Sequence, residues 1–431
     1  MQLDERHSVL EFGEQRNSRT QNMNSDFFER SWSNVALVRG QTKQPGDVES
    51  AKALIVSEGV AVCVAALGSK ARAIVLTGSL SRDEATLKRV GNGWCALGDA
   101  TFLVVLPRRT NVDTTRVEAE IESRLASHAI RCKIVVVTST PDALRAMKPH
   151  IYAFELRERG IVVWGDRTVL DLMPRFTAAE IPIEDGWWFL CNRMIEQLKT
   201  AAEDDRAASE GIQYRIAKLY LSMAACYLLA IGRYEPSYRD RARILEDLAH
   251  STSPPPSAIC LSRFSKLVTQ CTNLKLYGPA PGDDSQLPRS EVAASDAEAL
   301  WRWTLGRILN VSPEHTRSEL LKQLRDRQPV LGRSKGWVRA ALKYPALFRK
   351  SCRQWARLTR LGSPRYLVYG AASELFFHVG NEAYRFESKE LATIANDLPL
   401  NRPRLDRELT WQELASLIGD NFHMFVESTR T

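Results

Sequence analysis

Two polar motifs with residue types that can bind phosphate and metal lie beside apolar segments in the first quarter of the chain. Gly78 and Ser79 follow the apolar run Ala73 to Leu76, and Asp99 precedes the apolar run Phe102 to Leu106. A carboxylate such as that of Asp99 is a good ligand for Mg²⁺, whereas a hydroxyl is a weak one. Each motif alone is also ordinary turn chemistry, because glycine, serine and aspartate favour turns. The order of the motifs along the chain is therefore more informative than either motif.

In this order the motifs resemble the nucleotide-binding signature of the DNA polymerase beta-like nucleotidyltransferase superfamily. The segment from Leu76 to Glu84 is similar to the family's first strand and Gly-Ser loop, and the segment from Phe154 to Gly165 is similar to its closing helix, turn and strand. The resemblance covers roughly residues 48 to 175. It implies that Gly78 and Ser79 bind the triphosphate of a nucleotide, and that Asp99 is a catalytic residue that binds Mg²⁺.

The sequence departs from the family's metal site at two positions. The second carboxylate of the family is replaced by Thr101, and the third strand, 131–137, contains Lys133 and no carboxylate. Mg²⁺ held by one carboxylate and the substrate phosphates is bound weakly, because this ion gives up its water reluctantly. Asp83 and Glu84 are the alternative carboxylates, and Glu84 is predicted as a metal ligand beside Asp99. The predicted nucleotide-binding residues are Gly78, Ser79, Arg82, Lys133, Tyr238 and Arg239.

Two functions are compatible with these residues. The first is a nucleotidyltransferase that moves a nucleoside monophosphate from an NTP to a hydroxyl acceptor. The second is a catalytically inactive pseudo-nucleotidyltransferase that acts as a scaffold or regulator through its basic helical region, since a fold can persist after its chemistry is lost. Thr101 and Lys133 favour the second function. The Gly-Ser turn and Asp99 favour retained nucleotide binding.

The fold predicted to position these residues is α+β, with a small mixed β-sheet followed by a mostly α-helical domain. Apolar periodicity predicts helices at 47–67, 114–128 and 142–158, and strands at 73–76, 102–106, 134–137 and 161–164. The segment between Ser79 and Gly98 is predicted as a loop. Strand signals largely vanish after residue 178, and helices are predicted at 187–202, 214–231, 238–249, 258–276, 291–309 and 313–325.

Four regions follow from this pattern. The sequence predicts a disordered lead-in at 1–46, a nucleotidyltransferase-like domain at 47–175, a helical domain at 176–326 and a basic helical region at 327–431. In the second half, Ser237 is placed to cap a helix, with Asp240 three residues on.

The net charge of +8 is concentrated in one segment, since 327–373 contains eleven Lys and Arg residues and no Asp or Glu. A local basic surface indicates a local anionic partner. An apolar stripe is predicted on the same two helices, formed by Val338, Ala341, Leu342, Phe348, Cys352, Trp355 and Leu358. An anionic membrane surface or an acidic protein partner is predicted ahead of RNA, and a solvated face of the helical domain is the alternative.

Cysteine spacing and hydropathy predict the compartment. The eight cysteines include no Cys-x-x-Cys pair and resemble the reduced, buried cysteines of a cytoplasmic protein. The apolar segment 51–67 is interrupted by Ser57 and Glu58 and is predicted as a buried helix, so no membrane span is expected. A cytoplasmic protein, peripheral to a membrane if the basic segment binds lipid, is the resulting prediction.

Overall fold

The computed structural model describes residues 45–203, 209–253, 255–278, 287–312, 314–379, 388–400 and 409–427. Contacts divide the chain into two units. The sheet unit comprises the chain up to Met147 together with Arg159–Pro174, and the helical unit comprises Lys148–Glu158 and the chain from Arg175 onwards. The regions 176–326 and 327–431 both lie in the helical unit. The predicted lead-in, 1–46, lies outside the described residues except for its last two.

One long strand, β3 (Gly93–Val105), organises the sheet. Strand β1 (Ala73–Thr77) pairs antiparallel with the second half of β3, and β2 (Leu87–Val90) pairs antiparallel with its first residues. Strand β4 (Ile130–Ser139) runs parallel to β3, and β5 (Ile161–Gly165) lies antiparallel to β1. The fold is therefore mixed α+β with a small sheet followed by helices, as predicted at that level.

The loop predicted between Ser79 and Gly98 is wrong over its second half, where β2 and the start of β3 form a hairpin. Gly91 has φ of +59° and turns the chain at Gly91-Asn92, a residue pair that commonly closes hairpins. At Gly93 a Cβ would lie 2.2 Å from the Ala129 carbonyl oxygen, so glycine lets β3 approach the end of the next helix. The hairpin extends β3 so that Asp99 lies inside a strand.

Two helices cover one face of the sheet. Helix α1 (Val48–Leu67) begins at Asp47, whose carboxylate accepts a hydrogen bond from the Ser50 backbone N–H, and α2 is Thr114–Ser127. Both lie close to their predicted bounds. The core between these helices and the sheet contains buried side chains from each layer, among them Ile55, Val62, Phe102, Val104, Ile121 and Ile134.

Helix α1 meets the length and composition of a membrane span, contrary to the expectation that no segment would. Its apolar window has a mean hydropathy of 1.7, and 39% of that window is buried inside the structure. Ile55, Val62 and Cys63 of this helix belong to the sheet unit's core. Apolar packing on the sheet accounts for the composition of these residues.

Gly59 of α1 lies directly against Phe102 of β3, and Gly59→Ala is expected to destabilise the protein. A Cβ at this position would lie 2.2 Å from the ring of Phe102, which is completely buried. Overpacking of this kind costs about 1–3 kcal/mol. The midpoint of urea unfolding, monitored by circular dichroism, measures this effect.

The matched control for this substitution is Gly332→Ala, also a helical glycine. A Cβ at Gly332 would meet only Pro329 Cδ, at 3.7 Å, so alanine is expected to leave stability unchanged or raise it by up to about 1 kcal/mol through helix propensity. An unchanged midpoint for Gly59→Ala would contradict the close packing of α1 on β3.

The single helix predicted at 142–158 is wrong, because the structure contains two short helices there. Helix α3 is Pro141–Arg145 and α4 is Ile151–Arg159. Pro149 lies between them and lacks the N–H that a continuous helix needs. Most of α4 belongs to the helical unit, where Ile151 and Phe154 pack in one apolar cluster and Tyr234 Oη donates to Glu155 Oε1 at 2.5 Å.

The helical unit continues with eleven described helices after α4. They are α5 (Ile183–Glu203), α6 (Ser209–Ala230), α7 (Tyr238–Ala249), α8 (Leu261–Tyr277), α9 (Ser290–Leu309), α10 (Arg317–Asp326), α11 (Val330–Lys343), α12 (Pro345–Leu361), α13 (Pro364–Val379), α14 (Ser388–Asn396) and α15 (Trp411–Phe422). Buried aromatic rings fill its centre, including Trp187 against Trp301 at 5.9 Å between ring centroids. The predicted helical second half is confirmed for the described residues.

The apolar stripe predicted on the basic segment is largely wrong. Val338 and Leu342 of α11 are 55% and 78% exposed. The buried residues of this helix are Trp337 and Ala340, which pack with the α12 residues Trp355 and Leu358, the stripe's only fully buried members. One helix ends before Tyr344 and the next begins at Pro345, so the periodicity of α12 does not continue that of α11. The surface of α11 therefore carries aliphatic side chains.

Candidate functional site

The candidate site lies where β3 has no antiparallel neighbour. β1 pairs with β3 as far as Thr101, and β2 pairs with it as far as Ala96. The loop from Gly78 to Thr86 connects these two strands beside β3, and the Thr86 carbonyl accepts a hydrogen bond from Leu97 N at 2.9 Å. The topology therefore places the Gly-Ser turn next to the part of β3 that contains Asp99.

The Gly-Ser turn has a defined backbone geometry. Gly78 has φ of +80°, a conformation that glycine adopts readily. The Ser79 carbonyl accepts hydrogen bonds from Arg82 N at 3.3 Å and Glu84 N at 2.8 Å, and the Ser81 hydroxyl donates to the Gly78 carbonyl at 2.9 Å. These bonds fold the loop tightly and orient Ser79.

Ser79 and Asp99 line the same pocket. Its volume, part of which is open to solvent, is about 250 Å³. Most of this volume is open solvent, so the enclosed part is far below the about 300–1,000 Å³ of ordinary ligand pockets. A Cβ at Gly98 would lie 4.0 Å from Ser79 Oγ, so Gly98 lies beside that hydroxyl. The other lining residues are mostly apolar: Ile55, Leu80, Ala85, Thr86, Leu87, Ala96, Ala100 and Cys132.

Lys133 lies next to Asp99 because β3 and β4 are parallel and in register at these two residues. Lys133 Nζ is 3.9 Å from Asp99 Oδ2, and the side chains are 72% and 47% exposed. An exposed pair at this distance contributes only about 0–1 kcal/mol to stability. The ammonium nevertheless places a positive charge beside the carboxylate that was predicted to hold Mg²⁺.

The alternative carboxylates, on the turn itself, also have cationic partners. Glu84 is buried and accepts from Arg82 Nε at 3.1 Å, with side chains 0% and 6% exposed. Asp83 pairs with Lys52 Nζ at 2.6 Å. Glu84 would have to separate from Arg82 to bind a metal ion, which would break a buried ion pair.

The donor set does not fit a pair of Mg²⁺ ions. Thr101 follows the pocket residue Ala100 on β3 and supplies no carboxylate. Its Oγ1 would lie 4.0 Å from a Cβ added at Gly78. Within the described ranges, no three His, Cys, Asp or Glu side chains come together as a metal site. Burial raises the pKa of the Cys132 thiol to about 12, so this pocket residue stays protonated and is a poor nucleophile.

Tyr238 and Arg239 belong to the helical unit, in the first turn of α7. The predicted cap is confirmed, since Ser237 Oγ accepts from Asp240 N at 3.2 Å. Tyr238 packs against the helical core, and the buried Arg241 guanidinium lies 4.6 Å from its ring centroid. The predicted contact of Tyr238 and Arg239 with a nucleotide remains a prediction.

Sequence reasoning missed Lys52, which closes the loop onto α1. Burial lowers its pKa, but hydrogen bonds to Asp83 and Glu49 outweigh this effect and raise the pKa above its usual value. The sequence did indicate the pair of Lys52 with Glu49, because Glu49 lies three residues before it on the same face of α1. Its bond to Asp83 depends on the fold, because the two residues are far apart in the chain.

Comparison with known proteins adds no relative. The chain matches no model of a known protein family, and no curated protein matches it significantly. Any assignment of function therefore depends on the residues at the turn and on β3 and β4.

Proposed function

We propose that the sheet unit binds a nucleoside triphosphate through its phosphates at the Gly78–Ser79 turn. The observation that carries this proposal is the position of Lys133, whose Nζ lies 3.9 Å from Asp99 Oδ2. An exposed ammonium is a point charge that binds phosphate oxygens. The Ser79 hydroxyl, which lines the same pocket as Asp99, supplies a hydrogen-bond donor for the same group.

The charges near the turn support binding without metal-dependent transfer. Each of the three carboxylates there, Asp83, Glu84 and Asp99, has a cation beside it. A divalent ion is attracted by uncompensated carboxylates, so these three ion pairs disfavour a Mg²⁺ site at the turn. The proposed function is that of a nucleotide-binding pseudo-nucleotidyltransferase of the cytoplasm, acting as a scaffold or regulator.

Metal-dependent transfer of a nucleoside monophosphate to a hydroxyl acceptor is the second candidate function. Its support is the exposure of Asp99, which at 47% is accessible to a ligand. The contact of Asp99 with Lys133 is also long and exposed, so breaking it costs little free energy. The two candidates differ in whether nucleotide binding needs Mg²⁺.

Calorimetric titration of ATP, GTP, CTP and UTP, with Mg²⁺ and again with EDTA, separates the candidates. We expect binding of at least one nucleotide to persist in EDTA. Lys133→Met is expected to weaken it about 10- to 100-fold, because a hydrogen bond to a charged group contributes about 1.5–3 kcal/mol. If nucleotides release heat only when Mg²⁺ is present, and the Asp99→Ala variant loses this heat, the second candidate is favoured.

The matched control is Arg131→Met, which removes the same charge two residues earlier on β4. Arg131 is exposed and pairs in register with Cys95 rather than Asp99. It is expected to retain most of the nucleotide affinity. Absence of heat with all four nucleotides, or equal losses in the two variants, would contradict a phosphate site at Lys133.

A further inference from the structure

The strongest surface feature outside the candidate site is an exposed aliphatic ridge on α11. Leu331, Val338 and Leu342 form this apolar ridge and are 85%, 55% and 78% exposed. Their spacing of seven and four residues places them on one face of the helix. The ridge is independent of the proposed nucleotide site.

The ridge does not result from loose packing of the helix. On another face, α11 buries Trp337 and Ala340, and the Trp337 indole lies 5.4 Å from that of Trp355 on α12. Trp337 Nε1 donates to the Gly362 carbonyl at 2.9 Å. The two helices therefore form a fixed support, which leaves the ridge facing solvent.

A set of exposed cations lies on the same two helices and just before the first of them. Seven exposed side chains of the acid-free segment make no ion pair with the described part of the chain: Arg327, Lys335, Arg339, Arg349, Lys350, Arg353 and Arg360. Lys335 lies on the ridge itself, one turn from Leu331 and from Val338. On α12, Arg349, Arg353 and Arg360 share one face by the same spacing rule and form a basic stripe.

The remaining cations of the segment are used within the fold. Arg333 donates to the carbonyls of Asp326, Gln328 and Arg360, and Arg365 lies 4.4 Å from the Trp188 ring centroid. The cations therefore fall into a structural set and an exposed set. The absence of any Asp or Glu from 327–373 leaves the exposed set without compensation in its own segment.

We propose that α11 and α12 dock on an anionic lipid bilayer, with the apolar ridge inserted among the lipids and the basic stripe on the headgroups. Aliphatic side chains beside Lys and Arg are the composition of helices that lie in a membrane interface. Each cation at an anionic surface strengthens binding about fivefold. RNA-binding surfaces instead present aromatic rings for base stacking, and this ridge has none.

The test is sedimentation of the full chain with vesicles of phosphatidylcholine alone and of an equimolar mixture with phosphatidylserine. We expect binding to the mixed vesicles that falls as salt is raised. Arg349→Gln, Arg353→Gln and Arg360→Gln together are expected to weaken it on the order of a hundredfold. Leu331→Ser, Val338→Ser and Leu342→Ser together are expected to weaken it at least about tenfold.

Matched controls remove similar groups from other exposed positions. Arg108→Gln, Arg109→Gln and Arg116→Gln remove three exposed cations, and Val90→Ser, Tyr277→Ser and Val292→Ser remove three exposed apolar side chains. Both control variants are expected to bind mixed vesicles nearly as the unchanged chain does. Circular dichroism of every variant checks that the helices remain folded.

Three outcomes would overturn the proposal. Equal sedimentation with both vesicle types would exclude an anionic bilayer as the partner, and so would a lack of sedimentation with either type. If the basic-stripe variant loses vesicle binding but the apolar-ridge variant keeps it unchanged, insertion of the ridge into the bilayer is excluded. Binding of polyglutamate or of single-stranded RNA by a chain that ignores mixed vesicles would assign the surface to an acidic protein or to RNA.

Discussion

Replacing Arg82 by methionine is expected to lower the free energy of unfolding by about 3–5 kcal/mol, because it leaves the carboxylate of Glu84 buried without its guanidinium. Arg82 Nε and Glu84 Oε2 are 3.1 Å apart, and both side chains are almost fully buried. Methionine retains much of the volume of arginine, so the loss reports mainly on the charge. Urea unfolding followed by circular dichroism measures it.

The double variant Arg82→Met, Glu84→Leu is the control for this prediction. Removing both members of a buried ion pair is often close to neutral, so most of the lost stability is expected to return. A single variant as stable as the unchanged chain would show that the pair does not hold the loop.

Glu84→Gln separates the structural role of this residue from the metal role predicted from sequence. If Glu84 has a structural role, the substitution lowers the urea midpoint and leaves nucleotide binding in EDTA unchanged. A metal role instead abolishes Mg²⁺-dependent heat at an unchanged midpoint. We expect the first pattern, because the Glu84 carboxylate already lies beside Arg82.

Trp355→Ala is expected to cost about 3–5 kcal/mol, the range for removing a large aromatic side chain from a core. Trp355 is 2% exposed and lies 5.4 Å from both the Trp337 and Phe425 rings. Its Nε1 also donates to the Pro399 carbonyl at 3.1 Å. Urea unfolding measures the loss, and vesicle sedimentation tests whether the support beneath the apolar ridge is lost with it.

Phe348→Ala is the matched control on the same helix. The Phe348 ring lies 5.7 Å from Trp355 but is 41% exposed, so its removal is expected to cost about 1 kcal/mol or less. Equal losses for the two variants would contradict the central place of Trp355 in this cluster.

Apolar periodicity was sufficient to predict much of the fold. Helix α2 follows from apolar residues at helical spacing, α1 from a long apolar segment, and strands β1 and β5 from short continuous apolar runs. The β2–β3 hairpin was missed because polar Lys88 and Arg89 obscure the alternation, although Gly91-Asn92 marked the turn. The buried face of α11 was missed because a period indicates which residues share a face but not which of two faces meets the core.

The candidate site was only partly predictable for a related reason. Gly78, Ser79 and Asp99 could be grouped because their order along the chain resembles the signature of the nucleotidyltransferase superfamily, with the Gly-Ser turn after one apolar run and Asp99 before the next. The position of Lys133 beside Asp99 depends on the register between β3 and β4, and a shift by one residue would send its side chain to the other face. Sequence alone does not determine that register when the two strands are parallel and far apart along the chain.

The assignment of most of α4 to the helical unit affects how this protein can be divided or recombined. Phe154 packs with Ile181 and Leu229, which lie beyond the end of the sheet unit at Pro174. A gene fragment ending there would encode α4 without its apolar partners, and a fragment beginning at Arg175 would lack α4. Neither unit corresponds to one continuous stretch of coding sequence, so a segment exchange could transfer either unit intact only together with the other.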